Sequence, residues 1–508
     1  MISYLKKNII YIVSYLIYFI YIFVVASDLK NKLINPSNKI LIVFFLLYFS
    51  LSFLLYFFIN FINKKCLHKI PLLFLIISIT FCLLQFFTAP LFTGSDDHFH
   101  FYRAYEIANG NYITDIYNNK VGSSLPDSLN QMFQAGGGSE IRVKYSSIDA
   151  MKQIKLNSKK TSYYSEGYDN TALYSPVQYI PQALGIKIGM FFNLSLFNIA
   201  SLARLFNIIF YVLIGYFAIK LSSRNKLFYL LVLCCPNIIS LASTLSSDAF
   251  TDALIILFIS LIMHFHNTNN KISLKYIILI VLLSVLIAEC KIVYFPLLLM
   301  LLLLKKENFK TNKERNIFLI STFALSIISC LFWMSETTSF LNLAYDKSAL
   351  QKAYILSNPF NYLIIFVKTF ILYGLTYIRD LFIGNYMYNA QIIIPTFLSF
   401  AYVLIVLLSL FFEDNKKDKK TTILFAILSV IIIGLIGTAL YVQCTAQFIA
   451  VKNSTIYGIQ GRYFLPIIFL IPYIFHFKKK LNFEYKILID IAIILNIIVI
   501  YYMFVHFI

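Results

Sequence analysis

The sequence predicts an all-α polytopic membrane protein: a bundle of about 11–14 transmembrane helices with a large polar loop on the outer side. Three observations predict it. Apolar residues fall into blocks of about 15 to 23, the length that crosses a hydrocarbon core of ~30 Å at ~1.5 Å per residue. Only 13% of the 508 residues are charged, against about a quarter in a soluble domain. Finally, the basic clusters Lys6-Lys7, Lys64-Lys65, Lys305-Lys306 and Lys478 to Lys480 abut apolar blocks, as residues of short cytoplasmic loops do.

In chain order the expected spans are 9–26, 40–62, 70–91, 200–220, 226–244, 248–266, 275–289, 292–305, 316–334, 391–412, 421–441, 463–477 and 486–507. Each must be a helix, because an unpaired backbone amide is too costly in lipid. Residues 1–26 imitate a signal peptide, but the apolar run is long for one and further spans follow, so an uncleaved first helix is expected. The turn Glu289-Cys290-Lys291 divides the stretch 275–305 into two, since charge is expensive inside the membrane. Residues 176–192 and 360–378 are apolar too, yet counting either as a crossing breaks the charge pattern downstream. Both read as helices lying on the outer surface or dipping into it.

With a cytoplasmic N-terminus, all the lysine- and arginine-rich loops fall inside, and 92–199, 335–390 and 442–462 fall outside. The organisation is then two extra spans over 1–69, a core over 70–480 with outer loops 92–199 and 335–390, and a last span in 481–508. The net charge of +20 follows from the same loops. With no separate basic domain and no zinc-finger spacing, it does not indicate nucleic acid. None of the seven cysteines lies between Leu83 and Leu233, so no disulfide staples the polar loop, and no CxxC pair suggests a metal or redox site.

The chemistry is expected in the loop 92–175, which holds nine of the 23 acidic residues. Its many aromatic residues argue against disorder. It opens Thr93-Gly94-Ser95-Asp96-Asp97-His98-Phe99-His100, two carboxylates at the membrane boundary. Asp96 or Asp97 fits the N-cap of a helix 97–109, on which Asp96 and His100, then His100 and Arg103, lie a turn apart. Asp96, Asp97 and His100 also have the ligand types of a divalent-metal site; capping with a surface ion pair is the plainer reading. No other cofactor is indicated.

That string resembles the P-P-D-E-x-x-H-x-x-R-A motif of a bacterial family of multispanning proteins of unknown function, related to the GT-C class of lipid-dependent glycosyltransferases. Gly94 and Ser95 replace the prolines and Asp97 the glutamate; Asp96, His100, Arg103 and Ala104 match in register. Further landmarks follow in order. Tyr174-Ser-Pro176-Val-Gln-Tyr179-Ile-Pro-Gln-Ala-Leu-Gly185 resembles the family's Y-x-P-x-x-Y-x-P-Q-A-L-G segment. Arg204-Leu-Phe-Asn207, Ser246-Ser-Asp248, Lys291 with Tyr294 and Pro296, and Gln460-Gly461-Arg462 through Pro466 resemble later ones.

The resemblance implies a GT-C-like bundle in the plasma membrane that moves a sugar from a polyprenyl-phosphate donor to a cell-surface glycan or lipid-linked acceptor. An acid of the first outer loop would take the acceptor's proton, with Asp96, Asp97, His100 and Arg103 as catalytic candidates. A cation would stabilise the departing phosphate: Arg462 first, then Lys291 and Arg379. Tyr174, Pro176, Tyr179 and Gln460 would flank a substrate groove. A flippase or transporter of lipid-linked sugars, or a non-catalytic accessory subunit of an envelope-glycan system, is the alternative. Asp248 reads equally as a helix N-cap or a site residue, and Arg379-Asp380 as a local ion pair.

Overall fold

A computed structural model describes residues 70–138, 145–164, 167–268, 270–383, 394–412, 418–475 and 484–507, with isolated positions 392, 477 and 481. The expected spans 9–26 and 40–62 lie outside the described residues. The remainder is mostly helical, with two small two-stranded ribbons in the polar loop.

Among the described residues, seven helices are long and apolar enough to cross a membrane: Ile70–Thr88, Leu196–Leu221, Asp248–Thr268, Asn312–Ala344, Pro359–Phe382, Lys419–Phe448 and Lys486–Phe504. Six of them fall where spans are expected. The seventh, Pro359–Phe382, contains the segment expected as a surface helix. It turns Phe360, Leu363, Ile364, Val367, Ile371 and Leu375 outward, the surface a lipid-facing helix needs.

Of the remaining expected spans, two are regular helices of 17 and 14 residues, Leu274–Cys290 and Thr396–Ser409, and the others are bent, broken or wound as 3₁₀. The block 226–244 is two helices, Lys226–Leu233 and Pro236–Ser243, bent by 56°, because Pro236 has no N–H to continue the ladder. The block 463–477 is not one helix but three short turns, Gly461–Phe464, Leu465–Ile468 and Ile471–Ile474, with Pro466 and Pro472 opening the last two. Leu274–Cys290 stops where Glu289-Cys290-Lys291 was expected to turn the chain. The next block is a 3₁₀ helix, Ile292–Leu303, with Pro296 inside it.

Helix Ile180–Phe191, within the second expected surface segment, packs along Leu196–Leu221. Gly185 makes this possible, since a Cβ there would lie 2.7 Å from the Leu202 carbonyl and 2.9 Å from Ala203 Cα; small residues let helices approach this closely. Its other side exposes Ile180, Leu184, Phe191 and Phe192.

The polar loop has a core of its own. Helix Asp97–Ala108 is buried along most of its length, and Phe101, Tyr102 and Tyr105 meet Leu125, Leu129, Met132 and Tyr168 there. The ribbon Ile116–Tyr117/Lys120–Val121 turns through Asn118 and Asn119 at φ 48° and 59°, conformations asparagine tolerates. Arg103 holds this layer together. Its guanidinium donates to Glu106 at 2.7 Å, to Thr114 at 3.0 Å and to the Tyr112 carbonyl at 2.7 Å, while Glu106 also accepts from Asn111 and Ser123. Bonds of this kind make a buried charge pair tolerable, although the Arg103 Nε itself has no hydrogen-bond partner among the described residues.

Candidate functional site

The site is built on the turn between helices Pro236–Ser243 and Asp248–Thr268. Residues from three separate stretches hold it. Asp97 Oδ1 accepts the Leu245 N–H at 2.8 Å. Gln182 donates to the carbonyls of Leu245 and Ser246. Asn207 donates to those of Leu241, Thr244 and Ser246, and Arg204 to Ser243 at 2.7 Å. The Ser247 hydroxyl donates to Gln178. The sequence landmarks around positions 97, 178–182, 204–207 and 246–248 therefore converge on one loop, which carries Asp248 at its end.

Asp248 meets two cations. Lys291 Nζ lies 2.5 Å from Oδ1, and Arg462 Nε 3.6 Å from Oδ2. All three side chains are 14–15% exposed, sheltered yet reachable. Lys291 sits in extended backbone just past the end of Leu274–Cys290, over the rings of Tyr174 at 5.4 Å and Tyr463 at 5.5 Å. Arg462 follows Gly461, where a Cβ would come within 2.4 Å of the Tyr377 carbonyl. Only glycine lets this strand of chain press against helix Pro359–Phe382. Arg462 Nε and Gln460 Oε1 are buried without a hydrogen-bond partner among the described residues.

Asp96 and Asp97 part company. The Asp97 carboxylate folds back onto Gly94 N–H at 3.2 Å as well as reaching Leu245. Burial pushes it up to about 6, against the pull of the Arg204 guanidinium and the two N–H donors. Asp96 occupies the N-cap position with left-handed backbone, φ 56° and ψ 21°, but its side chain caps nothing. A non-glycine residue in that region stores strain, and such residues gather at functional sites. Its carboxylate faces the cluster instead: burial raises it above the ordinary value, opposed by Arg462 and by hydrogen bonds from Ser95 and Asn170, and reinforced by Asp248.

His100 is hydrogen-bonded through Nδ1 to the Tyr179 hydroxyl at 2.8 Å and stacks on Tyr174 at 6.4 Å. Burial lowers it to about 3, so the imidazole is neutral. The predicted Asp96–Asp97–His100 metal set does not assemble, because Asp97 is committed to backbone N–H groups and His100 to Tyr179. Among the described residues no group of three or more His, Cys, Asp and Glu is placed to hold an ion.

The fold thus brings together Asp96, His100, Tyr174, Tyr179, Lys291 and Arg462 around Asp248. Three other candidates play a different part. Arg103 is consumed by Glu106, and Arg379 makes a two-pronged pair with Asp380 at 2.7 and 2.9 Å. Pro176 opens the 3₁₀ turn Pro176–Tyr179. Sequence reasoning left Asp248 undecided and missed Tyr463. A capping residue and a site residue look alike at a helix start, and an aromatic beside an arginine carries no signal of its own.

Beside the cluster opens a cavity of about 340 Å³, bordered by Tyr174, Lys291 and Tyr463 and continued by Ile292, Met334, Ile436 and Leu440 between helices. One end is charged and aromatic, the rest mainly apolar.

Helices of this length, a folded polar loop and charges gathered at the ends of spans define a polytopic helical membrane protein. The chain belongs to the family of predicted membrane proteins DUF2142, whose model matches residues 79–471. No curated protein and no solved structure matches it.

Proposed function

We propose that the protein is a GT-C-like glycosyltransferase, moving a sugar from a polyprenyl-phosphate donor to a hydroxyl of an envelope glycan or lipid-linked acceptor. The observation that carries this reading is the placing of Asp96, a carboxylate that caps no helix and is held by Ser95 and Asn170, near the Lys291–Arg462 cation pair at the charged end of an apolar cavity. The cavity's apolar part suits the isoprenoid chain. The cations suit the phosphate, and Asp248 holds both in place before it arrives.

In the reaction, the acceptor oxygen forms a bond to the anomeric carbon while its proton passes to an Asp96 oxygen. The bond from that carbon to the phosphate oxygen breaks, and its electron pair leaves on polyprenyl phosphate. Lys291 and Arg462 stabilise that charge in a water-poor site, where fixed charges count most. Neutral His100, locked to Tyr179, orients the wall beside Asp96.

Incubating purified protein with a panel of polyprenyl-phosphate sugars and an envelope-glycan acceptor tests this. Release of polyprenyl phosphate with growth of the acceptor is the expected result.

A second reading rests on a separate observation. Asp252, one turn deeper than Asp248, and Asp490 are buried within candidate spans, and ionisable residues there are a mark of transporters. Movement of the intact lipid-linked sugar across vesicles, with no release of polyprenyl phosphate, would replace the transferase by a flippase.

A further inference from the structure

Glu289 has no part in the scheme above, yet it borders the same cavity as Lys291. It stands in the last turn of Leu274–Cys290, at the end of an apolar helix where an idle carboxylate is costly. Ser175 donates to Oε2 at 2.7 Å, and the Ser329 hydroxyl donates to Oε1. Each oxygen therefore has one hydroxyl. Among the described residues no ion pair includes Glu289. A carboxylate offers about four acceptor sites, so each oxygen can accept one more bond.

Trp333 borders the cavity too. Its indole N–H is spent on the Leu173 carbonyl at 3.0 Å and the Arg103 guanidinium lies 6.0 Å over its ring, which fix it in place, so what it offers the cavity is apolar contact. The short segment Leu173-Tyr174-Ser175 thus orders three groups: Leu173 holds Trp333, Tyr174 lies over Lys291, and Ser175 holds Glu289. Gln443 and Thr337 add neutral polar atoms to the same wall.

We propose that this part of the cavity is the glycosyl subsite of the lipid-phosphate pocket, with Glu289 accepting hydrogen bonds from two neighbouring hydroxyls of the sugar and Trp333 packing against its C–H face. A neutral polyol fits where a second anion would be repelled by Glu289. The inference rests on the transferase reading of the Lys291–Arg462 end and adds what selects the sugar. Glu289 is a specificity residue here, since a site built to bond a hydroxyl rejects ligands without it far more sharply than an apolar pocket does.

Trp333 is the only tryptophan in the chain, so its fluorescence reports on this cavity alone. Full-length protein in nanodiscs would be titrated with farnesyl phosphate and with its glucosyl, galactosyl, mannosyl and N-acetylglucosaminyl diesters. The wild type should bind at least one diester about tenfold or more tightly than bare farnesyl phosphate, the worth of hydrogen bonds to a charged group. Glu289→Gln should lose that preference while binding bare farnesyl phosphate as before, which also shows it folded. Equal affinity for bare and glycosylated lipids in the wild type, or a preference that survives Glu289→Gln, overturns the subsite. If none of the five lipids binds, the phosphate-pocket reading falls with it.

Discussion

The carboxylate of Asp97 accepts two backbone N–H bonds, from Gly94 and Leu245, whereas its neighbour Asp96 caps nothing and faces Arg462. The sequence placed both at the membrane boundary and put Asp96 in the motif's acidic position. It held no sign that Asp97 would reach a turn nearly 150 residues away. Replacing Asp97 with asparagine puts an amide N–H against a donor, and should cost about 1–3 kcal/mol of stability. A lowered thermal-unfolding midpoint, with transfer recovered on cooling, is the expected result. For Asp96 the prediction concerns pH. Burial raises its pKa above the ordinary 3.8, and the base works only when ionised. Transfer should therefore rise with pH along an acid limb whose midpoint lies above 3.8, read from kcat/KM across an acid series.

At the scale of elements, block length and hydropathy placed most helices, because a span is dictated by what lipid forbids. They did not reveal the bend at Pro236, the three broken turns of 461–474 or the full reach of Pro359–Phe382. Proline breaks a helix without changing its mean hydropathy, and a lipid-facing helix and an interfacial one share an apolar face. The broken segment is where the site gains Arg462. Gly461→Ala places a Cβ against the Tyr377 carbonyl at 2.4 Å, and overpacking of this kind costs about 1–3 kcal/mol. The backbone before Arg462 must move away from helix Pro359–Phe382. Affinity for farnesyl phosphate should fall with the arginine still present, whereas Gly374→Ala on that helix, with open space around it, should leave it unchanged.

For the molecule as a whole, the charge pattern predicts an orientation, and the landmarks at 94–104, 174–185, 204–207, 246–248, 291–296 and 460–466 contain residues that the fold gathers near Asp248. Those residues meet because each one ties a different element to the turn carrying Asp248 or to its cations. Spacing along the chain cannot show this, since the bond between Leu245 and Asp97 alone spans 148 residues. The orientation predicts that a cysteine at exposed Ser158, in the polar loop, reacts with an impermeant thiol reagent on intact cells, and that one at exposed Lys313 reacts only after permeabilisation. On the proposed reading, Asp96 takes the acceptor's proton beside a lipid phosphate held by Lys291 and Arg462. Its most direct test is the rate of polyprenyl-phosphate release by Asp96→Asn against wild type, with farnesyl phosphate binding measured on the same sample. A loss of ~10²–10⁴-fold in rate, the usual worth of a general base, is expected with binding intact. An unchanged rate would contradict it.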